Sequence, residues 1–216
     1  MKSVLITGGT VRLGRAIAER LKAEGWRVIT SSHRADAGAD IVADLAEPMG
    51  AAKLFAAALQ MLDGNPPDAL VNNAALFTGD EAAIAAVNLE APKKLTMMMA
   101  GRETGVGAVV NILDTKALDA SRHLSPSIDA YLASKRELLA FTRSAAATFA
   151  ATLRVNGVAP GPVMAPTDVH EKAGEMLLDR RPTADDVAAA ASYLLGAESV
   201  IGAVIPVDAG QHLLEA

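Results

Sequence analysis

The chain has 216 residues, a formal net charge of −5 and a pI near 5.4; 51% of its residues are hydrophobic and 21% charged. That length suits one domain, 1–216, with a sizeable core rather than two independent ones. The absence of cysteine excludes disulfides and thiolate nucleophiles, and four scattered histidines give no metal-ligand spacing. An acidic balance without a basic block argues against nucleic acid as a partner. The opening "MKSVLITGG" has only a short apolar run, too short for a signal peptide or a membrane span, so a metal-free, soluble, cytoplasmic protein without a membrane partner is expected.

Short β-branched runs alternate with alanine-rich segments of helical period along the chain. The candidate strands are "KSVLIT", "WRVITS", "DIVA", "DALVNN", "GAVVNIL", "LRVNGVA" and "GAVIPVD". Helices are expected near 13–24, 49–62, 81–101, 129–151 and 183–195, with Pro92 starting a new segment or kinking the third. This alternation builds βαβ units, and nearly continuous apolar strands imply a sheet covered on both faces. The expected fold is a single Rossmann-type, doubly wound α/β domain with about seven parallel strands. The active site should lie beyond their carboxyl ends. The stretch 161–182, with prolines and mixed charge, reads as a flap.

In "TGGTVRLG", Gly8 and Gly9 follow the first strand and Gly14 opens the first helix. Such glycines allow a tight turn, close helix-to-strand packing and backbone N–H groups aimed at a diphosphate. A P-loop is excluded because Arg15 and Ala16 stand where Lys and Ser/Thr are needed. The next strand ends in Ser31, Ser32, His33 and Arg34, with no carboxylate where NAD sites hold the ribose. Neutral donors and cations suit the extra phosphate of NADP, and Arg12 adds a second cation near the cofactor phosphates. Asp44 could accept from the adenine amino group or simply form a turn.

In "YLASK", Tyr131 and Lys135 lie four apart on one helix face. An ammonium near a phenol favours the phenolate and makes Tyr131 a usable acid–base catalyst at neutral pH. Together with "NNAA" at 72–75, Asn88 in "VNLEAP", "VVNILD", "RVNGVAPGPV" and "VIPVDAG", in that order, these motifs resemble the short-chain dehydrogenase/reductase family over nearly the whole chain. The resemblance implies Tyr131 as proton donor, Lys135 on the nicotinamide ribose and Asn88 supporting a proton-relay water. It further implies Gly8, Leu13, Gly14, Leu45, Asn73, Ala74, Pro160, Gly161 and Val163 along the cofactor, a pro-S hydride face and a homo-oligomer, tetramer or dimer. Helices near 81–101, with Met97 to Met99, and 129–151 could supply the interface; equally, those methionines could fill core gaps.

Two departures sharpen the expectation. Asp114 stands where the family usually has serine, and Arg12 replaces the middle glycine of the turn; both are similar to pteridine reductases, as are His33, Arg34 and Phe77. That likeness implies substrate contacts from Arg12, Phe77, Asp114 and Tyr131, with Phe77 stacking a pterin against nicotinamide; local core packing is the alternative for Phe77. Chemistry points the same way for Asp114. Carbonyl reduction builds negative charge on oxygen, which a carboxylate opposes, whereas C=N reduction needs a protonated nitrogen that a carboxylate stabilises. An Asp that merely turns the chain is the competing reading.

The leading expectation is NADPH-dependent reduction of a C=N bond in a pterin or folate-like small molecule. A carbonyl or alcohol oxidoreductase of the same family is the alternative, as is a non-catalytic NADP-binding regulator or a vestigial structural subunit. Three features strain the family pattern. Seventeen positions separate Asp114 from Tyr131, about four more than usual; only eight residues lie between Ser31 and Asp40, too few for the usual helix; and the flap from Met164 to Pro182 is compact. His123 and His170 fall in these loops and read as solvated.

Overall fold

The computed structural model describes residues 1–119, 126–163 and 176–214, with backbone alone for 126–128. Seven strands form one parallel sheet: β1 (Ser3–Thr7), β2 (Arg27–Ser32), β3 (Ile41–Val42), β4 (Ala69–Asn72), β5 (Gly107–Ile112), β6 (Leu153–Pro160) and β7 (Val204–Val207). Their spatial order is β3-β2-β1-β4-β5-β6-β7, every neighbouring pair parallel. The chain winds outward from β1 to β3, then returns to the centre at β4 and winds the other way. The connections leaving the carboxyl ends of β1 and β4 therefore run in opposite directions, leaving a crevice at the switch point.

Alternation along each strand explains why both faces are dry. In β1, Val4 and Ile6 pack with Ile17 and Leu21 of α1 (Arg12–Ala23) and Val187 of α6 (Ala184–Gly196). Leu5 faces the other side, with Leu54 of α2 (Gly50–Met61) and Leu95 of α4 (Ala91–Ala100). Helix α5 (Pro126–Thr148) closes that second face, with Ala145 and Ala146 in its core. The expected α/β architecture is thus the observed one, and α1, α2, α5 and α6 lie within a few residues of their expected ranges.

The expected helix at 81–101 is in three parts: α3 (Glu81–Ala85), a π-helical turn (Ala86–Glu90) and α4. Pro92 has no N–H for the carbonyl of residue 88, and the chain widens into the π turn where that bond is missing. Between β2 and β3 there is only a 3-10 turn, Ala35–Ala37. Asp40 closes this short crossover by accepting from the backbone N–H and hydroxyl of Thr30, at 2.8 and 2.7 Å. Of the expected flap, 164–175 lie outside the described residues, as do His123, His170 and most of the longer loop before Tyr131. None of the described helices is long and apolar enough to cross a membrane.

Candidate active site

The crevice opens into a cavity of about 730 Å³ that runs from Arg34 to Tyr131, a size proper to small-molecule and cofactor sites. At its centre lies the glycine turn. Gly8 has a φ of +62°, and a methyl group on Gly14 would sit 2.1 Å from the Gly8 carbonyl oxygen and 2.5 Å from Asn73 Nδ2. Only glycine lets α1 approach the turn this closely. Asn73 holds the arrangement by donating to the carbonyls of Thr7 and Gly8, at 2.9 and 3.1 Å. The Thr7 hydroxyl accepts from the N–H groups of Asn73 and Ala74, tying β1 to β4 at the switch point.

Arg12 occupies the first position of α1 with a φ of +49°. Arg12 thus holds the left-handed backbone conformation that glycine adopts without cost, a strain of roughly 1–2 kcal/mol. Arg12 is exposed and lines the cavity beside Val11 and Leu13. Arg12→Gly should relieve the backbone and raise the melting temperature by about 2–4 °C, while weakening the affinity for reduced cofactor. Thermal melts and a binding titration on one preparation measure both.

Ser32, His33, Arg34, Asp44 and Leu45 line the outer end of the cavity. Ser32 Oγ accepts from the Arg34 backbone N–H at 3.1 Å. Arg34 makes two parallel bonds to Asp36, Nε to Oδ1 at 2.9 Å and Nη2 to Oδ2 at 2.7 Å. Asp44 forms the turn that the sequence allowed, with Oδ1 accepting from Ala46 N–H at 2.9 Å, and still lines the cavity. Leu45 is buried in the core beneath it.

At the inner end, Asp114, Tyr131 and Lys135 converge. The Tyr131 hydroxyl donates to Asp114 Oδ2 at 2.9 Å, and Asp114 Oδ1 accepts from Lys116 N–H at 2.8 Å. Asp114 therefore caps a 3-10 turn with one oxygen and meets the phenol with the other. Burial pushes its carboxyl above the ordinary range, opposed by these two hydrogen bonds and by the charges of Lys116 and Lys135. Lys135, 3% exposed, donates to the Ile112 carbonyl at 2.8 Å, and burial brings its pKa down to about 8 against the pull of Asp114. Its Nζ stands 5.7 Å from the Tyr131 ring centroid. Phe77 packs on the opposite part of this group, its ring 4.8 Å from that of Tyr131 and tilted by 59°. No heterocycle fits between those two rings; Phe77 reaches the cavity beside them.

Asn88 lies in the π turn, with its oxygen and both amide hydrogens engaged. It accepts from Leu76 N–H at 2.8 Å and donates to the Leu76 carbonyl at 2.9 Å and to Ser134 Oγ at 3.1 Å. The side chain thus clamps the segment carrying Phe77 to the helix carrying Tyr131 and Lys135. Pro160 ends β6, and a methyl on Gly161 would come within 2.4 Å of Asp208 Cβ, so this turn also requires glycine. Val163 N–H bonds to Gly161 O at 2.8 Å.

Sequence reasoning gave no role to Thr7, Ser134 or Asp36. Thr7 and Ser134 sit inside the quoted motifs "TGG" and "YLASK", which were the available signal; nothing local distinguishes Asp36. A buried polar ladder was missed as well. Asn72 donates to Asn111, Asn111 to Thr142 and Thr142 to the Leu138 carbonyl, at 2.8, 2.8 and 2.7 Å, linking β4, β5 and α5 beneath the site. Among the described residues no group of three or more His, Asp or Glu is placed to hold a metal.

Comparison with known proteins agrees with this geometry. A family model for short chain dehydrogenases matches residues 2–177. The chain is 28% identical to the NADP-dependent (R)-specific alcohol dehydrogenase of Lentilactobacillus kefiri, over 97% of this chain and 96% of that one. It is also 28% identical to pteridine reductase 1 of Leishmania tarentolae, over 98% and 96%. Among solved structures, FolM alternative dihydrofolate reductase 1 from Brucella canis, complexed with NADP, superposes with a TM-score of 0.84 at 31% identity, covering 98% of this chain and 94% of that one. The chain therefore belongs to the short-chain dehydrogenase family, nicotinamide-dependent oxidoreductases built on this sheet.

Proposed function

We propose that the protein is an NADPH-dependent reductase of a C=N bond in a pterin or dihydrofolate-like small molecule. The observation that carries this reading is the bond from the Tyr131 hydroxyl to the half-buried Asp114 carboxyl group, 2.9 Å long, at the inner end of a dinucleotide-sized cavity. A carboxylate there disfavours the oxyanion of carbonyl reduction and favours a substrate nitrogen that must gain a proton. The likeness to FolM and to pteridine reductase 1 supports the substrate class.

The cavity suits the cofactor at each point along its length. Gly8, Leu13 and Gly14 form the diphosphate turn, with Arg12 as a cation beside it. Ser32, His33 and Arg34 would take the ribose phosphate, Asp44 and Leu45 the adenine, and Asn73, Ala74, Pro160, Gly161 and Val163 the nicotinamide half. Bound there, the cofactor supplies the hydride. Tyr131 is the proton donor; its hydroxyl donates to Asp114 Oδ2, so the two oxygens would share one proton beside a bound substrate. Lys135 keeps that proton mobile by stabilising the phenolate left after transfer. Asn88 holds the two walls of the site in register, with both amide hydrogens donated and its oxygen still able to accept from a relay water. Phe77 offers an apolar face to a flat ring. The catalytic pair Tyr131 and Lys135, both in place, disfavours a purely regulatory cofactor binder.

The likeness to an alcohol dehydrogenase keeps a carbonyl substrate as the second reading. NADPH oxidation with dihydrobiopterin, dihydrofolate and a panel of ketones separates the two, with Tyr131→Phe as the control expected to lose turnover. Activity confined to ketones rejects the C=N reading.

A further inference from the structure

We propose that Asp36 competes with the ribose phosphate of the cofactor for the Arg34 guanidinium, and so sets how strongly NADPH is preferred over NADH. The proposal rests on the reading above that Arg34 takes that phosphate. Arg34 offers its fork to Asp36 in the geometry that also suits phosphate, two parallel bonds of 2.9 and 2.7 Å. A phosphate oxygen pair and the Asp36 carboxylate cannot both take the same two N–H groups.

The backbone keeps this rival close. Asp36 is the middle residue of the 3-10 turn Ala35–Ala37, which ends at Gly38 with a φ of +65°. The crossover is then pinned to β2 by the bonds from Thr30 to Asp40. With no helix between β2 and β3, the carboxylate stays at high effective concentration beside Arg34. His33, Arg34 and Ala37 line the cavity while Asp36 does not, so Asp36 draws the guanidinium off without contacting the ligand. The hydrogen bond and charge of Arg34, aided by His33, hold the Asp36 carboxyl below its ordinary range, which keeps the rival ionised in the physiological range. Both side chains are well over half exposed, at 63% and 70%. Such a pair is weak and breaks on phosphate binding, so the handicap is modest. NADH, lacking the phosphate, leaves the pair intact and feels no competition.

The test is a double-mutant cycle on the full chain with Asp36→Asn, Arg34→Gln and both, titrating NADPH, NADH, 2′,5′-ADP and 5′-AMP. Asp36→Asn should tighten NADPH and 2′,5′-ADP by about two- to five-fold, leave NADH and 5′-AMP unchanged, and lose that gain in the Arg34→Gln background. A gain of equal size without Arg34 means bulk charge alone and overturns the proposal. No gain with Arg34 present, in a protein where Arg34→Gln still weakens NADPH, overturns the competition but leaves the phosphate reading standing. An unchanged NADPH-to-NADH ratio in Arg34→Gln removes the phosphate reading and the proposal with it.

Discussion

Asp114→Asn should lower kcat/KM for a dihydropterin or dihydrofolate by about 10²–10⁴-fold, the range for losing a positioned acid or base. Asparagine can still accept one hydrogen bond, from Tyr131 or from Lys116, but not both, and it cannot share a proton with the phenol. The pH dependence should change with the rate. Two groups this close titrate as a pair, and turnover should fall as pH rises through the pair's upper apparent pKa, where the shared proton is lost. In the asparagine variant that limb should vanish or move. Asp114→Ser restores a hydroxyl donor and should favour ketones over C=N substrates. A wild-type rate on dihydropterin in Asp114→Asn would remove the chemistry proposed for the site.

Stability should move the other way from activity. Burial raises the carboxyl of Asp114 in the folded protein, so its proton is held more tightly there than in the unfolded chain. The resulting stability is present below the ordinary carboxylate pKa and is lost as pH rises through the folded value. Lys135 has the opposite sign: its stability is complete above its ordinary pKa and lost as pH falls through about 8. Burial thus works against the charged form of both groups. The Asp114→Asn variant should gain melting temperature relative to the parent as pH rises above the carboxylate range, and the gain should close on acidification. A thermal melt series across pH checks this independently of turnover.

Gly14→Ala should abolish measurable dinucleotide binding, by about 100-fold or more, and destabilise the fold by about 1–3 kcal/mol. The added methyl would meet a backbone carbonyl at 2.1 Å and the Asn73 amide at 2.5 Å, and both are held by hydrogen bonds to each other. Neither is the flexible end of a side chain, so α1 itself must move off the turn that presents its N–H groups to a diphosphate. Gly196→Ala is the internal comparison, because a methyl there meets nothing within 4 Å and the residue ends α6. It should be neutral or slightly stabilising. Cofactor titration followed by circular dichroism melts distinguishes lost binding from lost folding. Full affinity in Gly14→Ala would mean that the turn does not cradle the cofactor.

Much of the candidate site was legible because its signals are local. Tyr131 and Lys135 share a helix face by spacing alone, and the glycines of the turn announce a backbone conformation. Asp114 was identifiable as a departure, but the sequence left open whether it capped a turn or met the phenol. Its two oxygens do both, and that depends on the approach of α5 to the end of β5. Asn88 was placed in the site, but not its use: the clamp on Leu76 joins residues 12 apart in sequence across a π turn, a register set by Pro92. Arg34 was recognised as a cation near the ribose, while its engagement by Asp36 was not, since nothing in "HRAD" separates a solvated acid from one folded back on its neighbour.

The succession of parallel strands and helices, the two-faced burial and the glycine turn followed from the sequence by itself, because alternation, helical period and the steric freedom of glycine act over a few residues. Only the tertiary structure decided which charges meet. Pairing Asp114 with Tyr131 and burying Lys135 against Ile112 depend on distances of a few ångströms between atoms that packing, not sequence proximity, brings together, whereas Arg34 meets Asp36, two residues on, because the 3-10 turn folds it back. Electrostatic and hydrogen-bond energies change steeply over that range.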